Sequence, residues 1–327
     1  MALSKIETGS LNFTPATKDG TKNLIINGAM QVWQRGTSSS STGYNTADRW
    51  YLNLSGGSAT ASQGIFADGQ TAVPDNPQFY MALNVTTGND NCGWQYRREG
   101  TWQFANDVYT LSFWAKSATP RVMTVSSDSY DASANVDSAH TISPSTFTPT
   151  SSWQKFTFNI THSNMSGLGS YANADWTRIS INQGSDTSSA AWKLDLAQVQ
   201  LEKGSTATPF ENRSYGDELA RCQRYCYVIT GGNDWHTYAG HAQTSTAFLW
   251  SATFPVPMRA RASATFDNTN TQYIQGNNSN YGPTAFAVSA ISQETMYVNT
   301  TSSGMSQGHA LAILLNSDNK QIMDAEL

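Results

Sequence analysis

The chain has 327 residues, above the roughly 100–200 that one compact domain takes, so two domains are expected, each able to bury its own core. Charged residues make up 13% of it, against about 25% in an average soluble protein, and Ser, Thr, Asn, Gln and Gly fill the vacated surface positions. With a net charge of −5 and no basic run longer than Arg97-Arg98, there is no footprint for a phosphate backbone, which excludes a nucleic-acid partner.

Met1 to Gly20 contains no apolar core of an export signal, and no run of about 18 apolar residues occurs anywhere, so neither secretion by that route nor membrane insertion is expected. The three cysteines, Cys92, Cys222 and Cys226, cannot all pair and lack metal-ligand spacing, so buried thiols formed in a reducing cytoplasm are expected.

Residues 1–22 show neither helical nor strand periodicity and read as an N-terminal arm that orders against another protein or subunit. From Asn23 the pattern turns to strands: Leu24 to Val32, Asp48 to Leu52, Phe79 to Val85, Trp94 to Arg98, Val108 to Lys116, Arg121 to Ser126, Trp153 to Ile160, Trp176 to Ile181 and Trp192 to Leu201. About nine strands with no helical pattern between them predict an antiparallel sandwich over residues 23–210 rather than a parallel α/β sheet. In the last strand Trp192, Leu194 and Leu196 share one parity and Val199 and Leu201 the other, which predicts a β-bulge near Ala197-Gln198.

Residues 211–225 carry the one clear helix. Ser214 followed by Asp217 is a shortened capping box, and Leu219, Cys222 and Cys226 fall on one face, leaving Glu218 and an arginine to solvent. The spacing predicts a helix over Tyr215 to Arg224, acting as a hinge. Residues 226–327 return to short strands, at Tyr225 to Thr230, Ala247 to Phe254, Ser263 to Phe266, Ala285 to Ala290, Thr295 to Val298 and Ala310 to Asn316. They read as a small sandwich, or as a sheet completed by neighbouring subunits.

No nucleophile elbow, phosphate loop or zinc-binding helix is present. His236 and His241 have no third ligand nearby except Asp234, and read as a surface pair without metal. Asp68, Asp75, Asp90, Asp128, Asp131, Asp137 and Asp186 could supply the two carboxylates of glycoside hydrolysis, but their spacing selects no pair. Aromatic residues are the stronger signal, with 10 Trp, 14 Tyr and 13 Phe. A sugar ring presents C–H bonds to an aromatic face while its hydroxyls seek short polar side chains or Arg. Trp94, Tyr96, Arg97 and Trp102, together with Trp235 and Tyr238, interleave these types and are the glycan-binding candidates; Trp176 with Arg178 shows the same interleaving without being singled out, and Phe113, Trp114, Trp153 and Phe156 read as core.

Three ordered stretches, Tyr109 to Lys116, Trp153 to Phe158 and Trp192 to Leu201, resemble the strands of jelly-roll carbohydrate-binding modules. That resemblance implies a structural calcium near the first strand and an Asp of the closing one, here Gln31 and Asp195; Gln31 stands where the family has Glu, which removes one charged ligand.

A second set is similar to phage tail-fibre and related virion proteins. It runs through Asn23 to Gly28, Gln34 to Thr37, Ala47 to Trp50, Gln200 to Gly204, Ala207 to Glu211, Cys222 to Tyr225 and Phe254 to Arg259. This resemblance implies a virion fibre subunit, commonly a homotrimer. It would be joined to other virion proteins through residues 1–22, with its distal part turned to host surface polysaccharide or lipopolysaccharide. A purely structural spacer in tail or capsid is the competing expectation, and a capsule-degrading depolymerase the third.

Overall fold

The computed structural model describes residues 21–87, 92–101, 103–168, 175–183, 190–230, 236–266, 273–276, 278–315 and 320–327. Most of the arm expected over residues 1–22, and the candidates Trp102 and Trp235, lie outside them.

In chain order the first body contains β1 (Ser38–Ser39), β2 (Trp50–Asn53), β3 (Ser58–Ile65), β4 (Phe79–Thr87), β5 (Gly93–Glu99), β6 (Val108–Lys116) and β7 (Met123–Tyr130). These are followed by β8 (Val136–Asp137), β9 (Thr141–Ser143), β10 (Thr146–Phe147), β11 (Gln154–Thr161), β12 (Trp176–Asn182) and β13 (Trp192–Lys203). They form two antiparallel sheets, one ordered β1-β3-β4-β13-β6-β11-β9 and the other β10-β7-β12-β5-β2. The two enclose one core, and the result is the expected all-β sandwich of jelly-roll type.

Alternation writes this core directly. In β6, Tyr109, Leu111, Phe113 and Ala115 point inward and meet Ile160, Phe158 and Phe156 of β11 in register. From the other sheet come Trp50, Leu52, Trp94, Tyr96, Met123, Val125, Ile179 and Ile181. The bulge expected in β13 is present: the register with β6 shifts between Ala197 and Gln200, and Gln198 has φ 49°. β3 escapes the sequence reading because its inward residues, Ala59 and Ala61, are small.

Residues 24–32 are not the strand their apolar run suggested. Asn27 and Met30 adopt positive φ, 59° and 56°, and the Met30 amide donates to the Asn27 carbonyl. The Asn27 side chain holds this buried turn, accepting from the Val32 amide and donating to the carbonyls of Val32 and Asp48. Gly28 lies so close to β13 that a Cβ there would stand 2.2 Å from the Val199 carbonyl oxygen.

Helix α1 (Tyr215–Gln223) begins as expected, with Ser214 accepting from the Asp217 amide. One of its faces is packed. Glu218, expected in solvent, is buried and accepts from the Asn27 amide beside Arg213. Cys222 and Tyr225 pack with Ile26 and Val32. Cys92, Cys222 and Cys226 are all buried free thiols, and burial raises the last two well above the usual thiol range.

The remainder forms β14 (Cys226–Thr230), β15 (His236–Ala242), β16 (Ala247–Thr253), β17 (Ser263–Phe266), β18 (Tyr273–Gly276), β19 (Ser279–Tyr281), β20 (Ala285–Ile291), β21 (Thr295–Thr301), β22 (Ala310–Leu315) and β23 (Lys320–Asp324). The sheets β14-β23-β17 and β19-β18-β22-β15-β16-β21-β20 share a second core around Phe248, Trp250, Val298, Ile313 and Met323, so this part is a sandwich in its own right.

Ion pairs, that of Arg49 with Glu326 fully buried, join the two bodies. Arg49, fully buried, pairs with Glu326 and lies 3.4 Å over the Tyr225 ring; Arg35 pairs with Asp324 and Glu326. Gln34 bonds Asp48 and the Cys226 carbonyl. The stretches Gln34 to Thr37 and Ala47 to Trp50 thus supply the junction with the C-terminal residues.

Candidate functional site

Each strand of the β10-β7-β12-β5-β2 sheet sends alternate side chains away from the core. Outward residues are Tyr51 on β2, Gln95, Arg97 and Glu99 on β5, Trp176, Arg178 and Ser180 on β12, and Ser126, Asp128 and Tyr130 on β7. Register then lines them up across the sheet. Asp128, Arg178 and Arg97 form one row; Tyr130, Trp176 and Glu99 the next; Ser126, Ser180, Gln95 and Tyr51 a third.

Rings and guanidinium groups interleave along this face. Tyr44 meets Tyr51 edge to face at 5.2 Å. The Arg97 guanidinium lies 4.4 Å from the Tyr51 centroid and 4.7 Å from that of Trp176. Trp176 stacks on Tyr130 at 4.0 Å with 15° between planes, and Arg178 sits 5.1 Å from Tyr130 while its Nε donates to Asp128 at 2.9 Å. Trp176, Tyr130, Arg97 and Arg178 are all half-buried. Cation–π and ion-pair contacts hold each side chain in one orientation, so little rotamer freedom remains to be lost when a ligand arrives.

Burial and the Asp128 charge raise the Tyr130 phenol, against the lowering influence of Arg178, so it remains a neutral donor at neutral pH. Asp128 and Glu99 are the carboxylates of this face. Each is engaged by a guanidinium, Asp128 by Arg178 and Glu99 by Arg224 at 3.0 Å. The arrangement offers the half-buried edges of two stacked rings, their faces taken by each other and by the two guanidinium groups, bordered by fixed donors and acceptors.

The sequence candidates fare differently. Arg97 belongs to this face. Trp94 and Tyr96, on the opposite parity of the same strand, are 0% and 1% exposed; the Tyr96 hydroxyl accepts from the Ile26 amide, so neither ring can meet a sugar. Tyr238 is a packing residue of the second core, 5.1 Å from Trp250, with its phenol raised by burial and by Tyr227. Trp114 and Trp153, read as core, are half-buried on the outer side of the other sheet. Tyr51, Tyr130 and Asp128 were missed as partners because their strands lie far apart in sequence.

Gln31 and Asp195 do not fit a calcium site. Asp195 is paired with Lys116 at 3.5 Å, and burial, offset by that lysine, raises its carboxyl above the ordinary range. Gln31 Oε1 is buried without a hydrogen-bond partner, a single donor where calcium takes about six to eight oxygens. No group of three or more His, Cys, Asp or Glu able to hold a metal ion occurs among the described residues. Among them, too, no helix is long and apolar enough to cross a membrane.

No family model and no curated protein matches the chain. Solved structures with a similar strand arrangement include a CBM4 structure (20% identity, 54% of this chain and 98% of that one, TM-score 0.32). Another is the N-terminal cellulose-binding domain from Cellulomonas fimi β-1,4-glucanase C (18% identity, 54% and 100%, TM-score 0.31). A third is the CBM22-1 xylan-binding domain from Paenibacillus barcinonensis Xyn10C (12% identity, 52% and 94%, TM-score 0.32).

Proposed function

We propose that this chain is a phage virion fibre subunit that recognises a host surface glycan without catalysis, through the outer face of the β10-β7-β12-β5-β2 sheet. The observation that carries the glycan reading is the stacked, half-buried pair Trp176 and Tyr130, flanked by the guanidinium groups of Arg97 and Arg178. A pyranose set against the exposed edge of these rings would keep its hydroxyls near Arg97, Arg178 and Asp128 of the neighbouring row, where hydrogen bonds are strengthened by charge.

Placement in a virion is supported by the ordered stretches from Asn23 to Arg259 that resemble phage fibre proteins. In the same reading residues 1–22 attach to other virion proteins, the subunit is a homotrimer assembled in the host cytoplasm, and weak single sites gain strength by multivalent display.

The test is retention of the intact chain on immobilised host lipopolysaccharide and capsular polysaccharide. Retention that disappears in Trp176→Ala supports the reading. Silence on every host polysaccharide, with the protein located inside the particle by antibody labelling, favours the spacer instead.

A further inference from the structure

The outer face of the other sheet carries a partly enclosed cavity of about 410 Å³. Its floor follows from strand parity. Phe113 and Ala115 of β6 point into the core, so Ser112 and Trp114 point out, and Trp114 has Ala197 opposite it on β13 and Lys155 opposite it on β11. With alanine on one flank, the indole is left half-buried instead of being covered by a large neighbour.

Both walls are built from buried polar groups. One is the turn Pro74-Asp75, which the Gln198 amide ties to the β13 bulge by donating to the Pro74 carbonyl at 2.8 Å. Gln198 is 4% exposed with φ 49°, a left-handed conformation that a residue of its kind adopts at a cost, and Asp75 next to the cavity has φ 62°. The other wall is the segment Ala207 to Phe210. Glu202, fully buried, accepts from the Thr208 amide and hydroxyl at 2.8 and 2.7 Å, and Gln200 accepts from the Glu211 amide at 2.8 Å. The stretches Gln200 to Gly204 and Ala207 to Glu211, singled out in the sequence, thus fasten a strap across the sheet. Burying a carboxylate and two amides for this purpose is costly unless every group is bonded, and the return is a wall of fixed position.

We infer that this cavity is a second saccharide site, taking the terminal sugar of a neutral glycan: one ring face lies on Trp114 and Phe210, and the hydroxyls bridge the exposed Asp75 carboxylate and Lys155 ammonium. The volume is at the lower end of the range for small-molecule pockets, which suits a chain end rather than a long polymer. Asp75 and Lys155 bring opposite charges to the rim, which suits a neutral ligand with both donors and acceptors better than an anion. The inference extends the glycan-binding reading to an independent site; the two sites lie on opposite sheets and can fail separately.

The experiment titrates the intact, isotope-labelled chain with the methyl glycosides of glucose, galactose and N-acetylglucosamine. It follows the indole N–H resonances, with Trp114→Phe and Trp176→Phe used to assign them. The expected result is a saturable shift of the Trp114 resonance with at least one sugar. Asp75→Asn and Lys155→Met, both at exposed positions, should each weaken it about tenfold, the worth of one charge-assisted hydrogen bond, while Trp176→Ala leaves it unchanged. A Trp114 resonance that stays fixed with every sugar while that of Trp176 moves overturns the inference and leaves the first site standing. Movement of Trp114 alone supports the inference and removes the first site. A shift that ignores both rim variants, or that is produced by a synthetic peptide of residues 1–22 and by none of the sugars, also overturns it.

Discussion

Trp176 of β12 and Tyr130 of β7 lie face to face, their ring centroids 4.0 Å apart, directly opposite one another in the register of the sheet. The pair is half-buried and joined to Arg97 on one side and Arg178 on the other, so it forms a rigid platform. Trp176→Ala should lower polysaccharide affinity by about 2 kcal/mol, roughly thirtyfold, as an anchoring aromatic does at a binding surface. It should also lower the unfolding midpoint, because the half-buried ring packs on Tyr130 and Arg97. Isothermal titration and urea unfolding of the same variant separate the two effects.

Arg49 should matter for stability instead. Its guanidinium is buried between Glu326, Tyr96 and Tyr225, and removing one partner leaves the other charge stranded. Arg49→Met should cost about 3–5 kcal/mol in urea unfolding. Combining it with Glu326→Leu should recover little of that loss, because Glu326 also pairs with the buried Arg35, which would then keep only Asp324.

His162 sets a pH dependence. Burial, and then His140 at 4.6 Å, push its pKa down to about 3, and neither ring nitrogen has a hydrogen-bond partner. An unfolded histidine binds its proton near pH 6.5, so the unfolded chain holds more protons between that value and about 3, and stability falls as pH falls through this window. At pH 5 the loss from this residue is about 2 kcal/mol. The ring packs against Phe104 and Tyr109, so His162→Phe should fit the same space and flatten the acid side of a plot of melting temperature against pH between 7 and 4.

Gly28→Ala should destabilise by about 1–3 kcal/mol, the usual cost of overpacking, because the new methyl would meet main-chain carbonyl oxygen rather than a movable side chain. Thermal unfolding of the variant checks this. An unchanged melting temperature would mean that the turn at Asn27 can back away from β13.

Much of the fold was legible because a half-buried strand writes its two faces in alternation. Val108 to Lys116 and the phase change in β13 are examples. The same rule could have sorted the candidate site. Gln95, Arg97 and Glu99 mark the outward parity of β5, which sends Trp94 and Tyr96 inward, and Trp176 and Arg178 share an outward parity. Pairing was not legible: Tyr51, Arg97, Tyr130 and Trp176 meet only because β2, β5, β12 and β7 become neighbours, a long-range outcome that no local pattern encodes. Residues 24–32 misled for another reason. Their apolar run is buried, but the Asn27 side chain replaces a strand partner and turns the backbone left-handed.

The face assigned to glycan can be tested most directly by hydrogen exchange of the intact chain, with and without a saturating host polysaccharide. Added protection concentrated in β5, β7 and β12, and abolished by Trp176→Ala, is the predicted result. Protection confined to the second sandwich, or a pattern in which those three strands exchange identically with the polysaccharide bound, would contradict it.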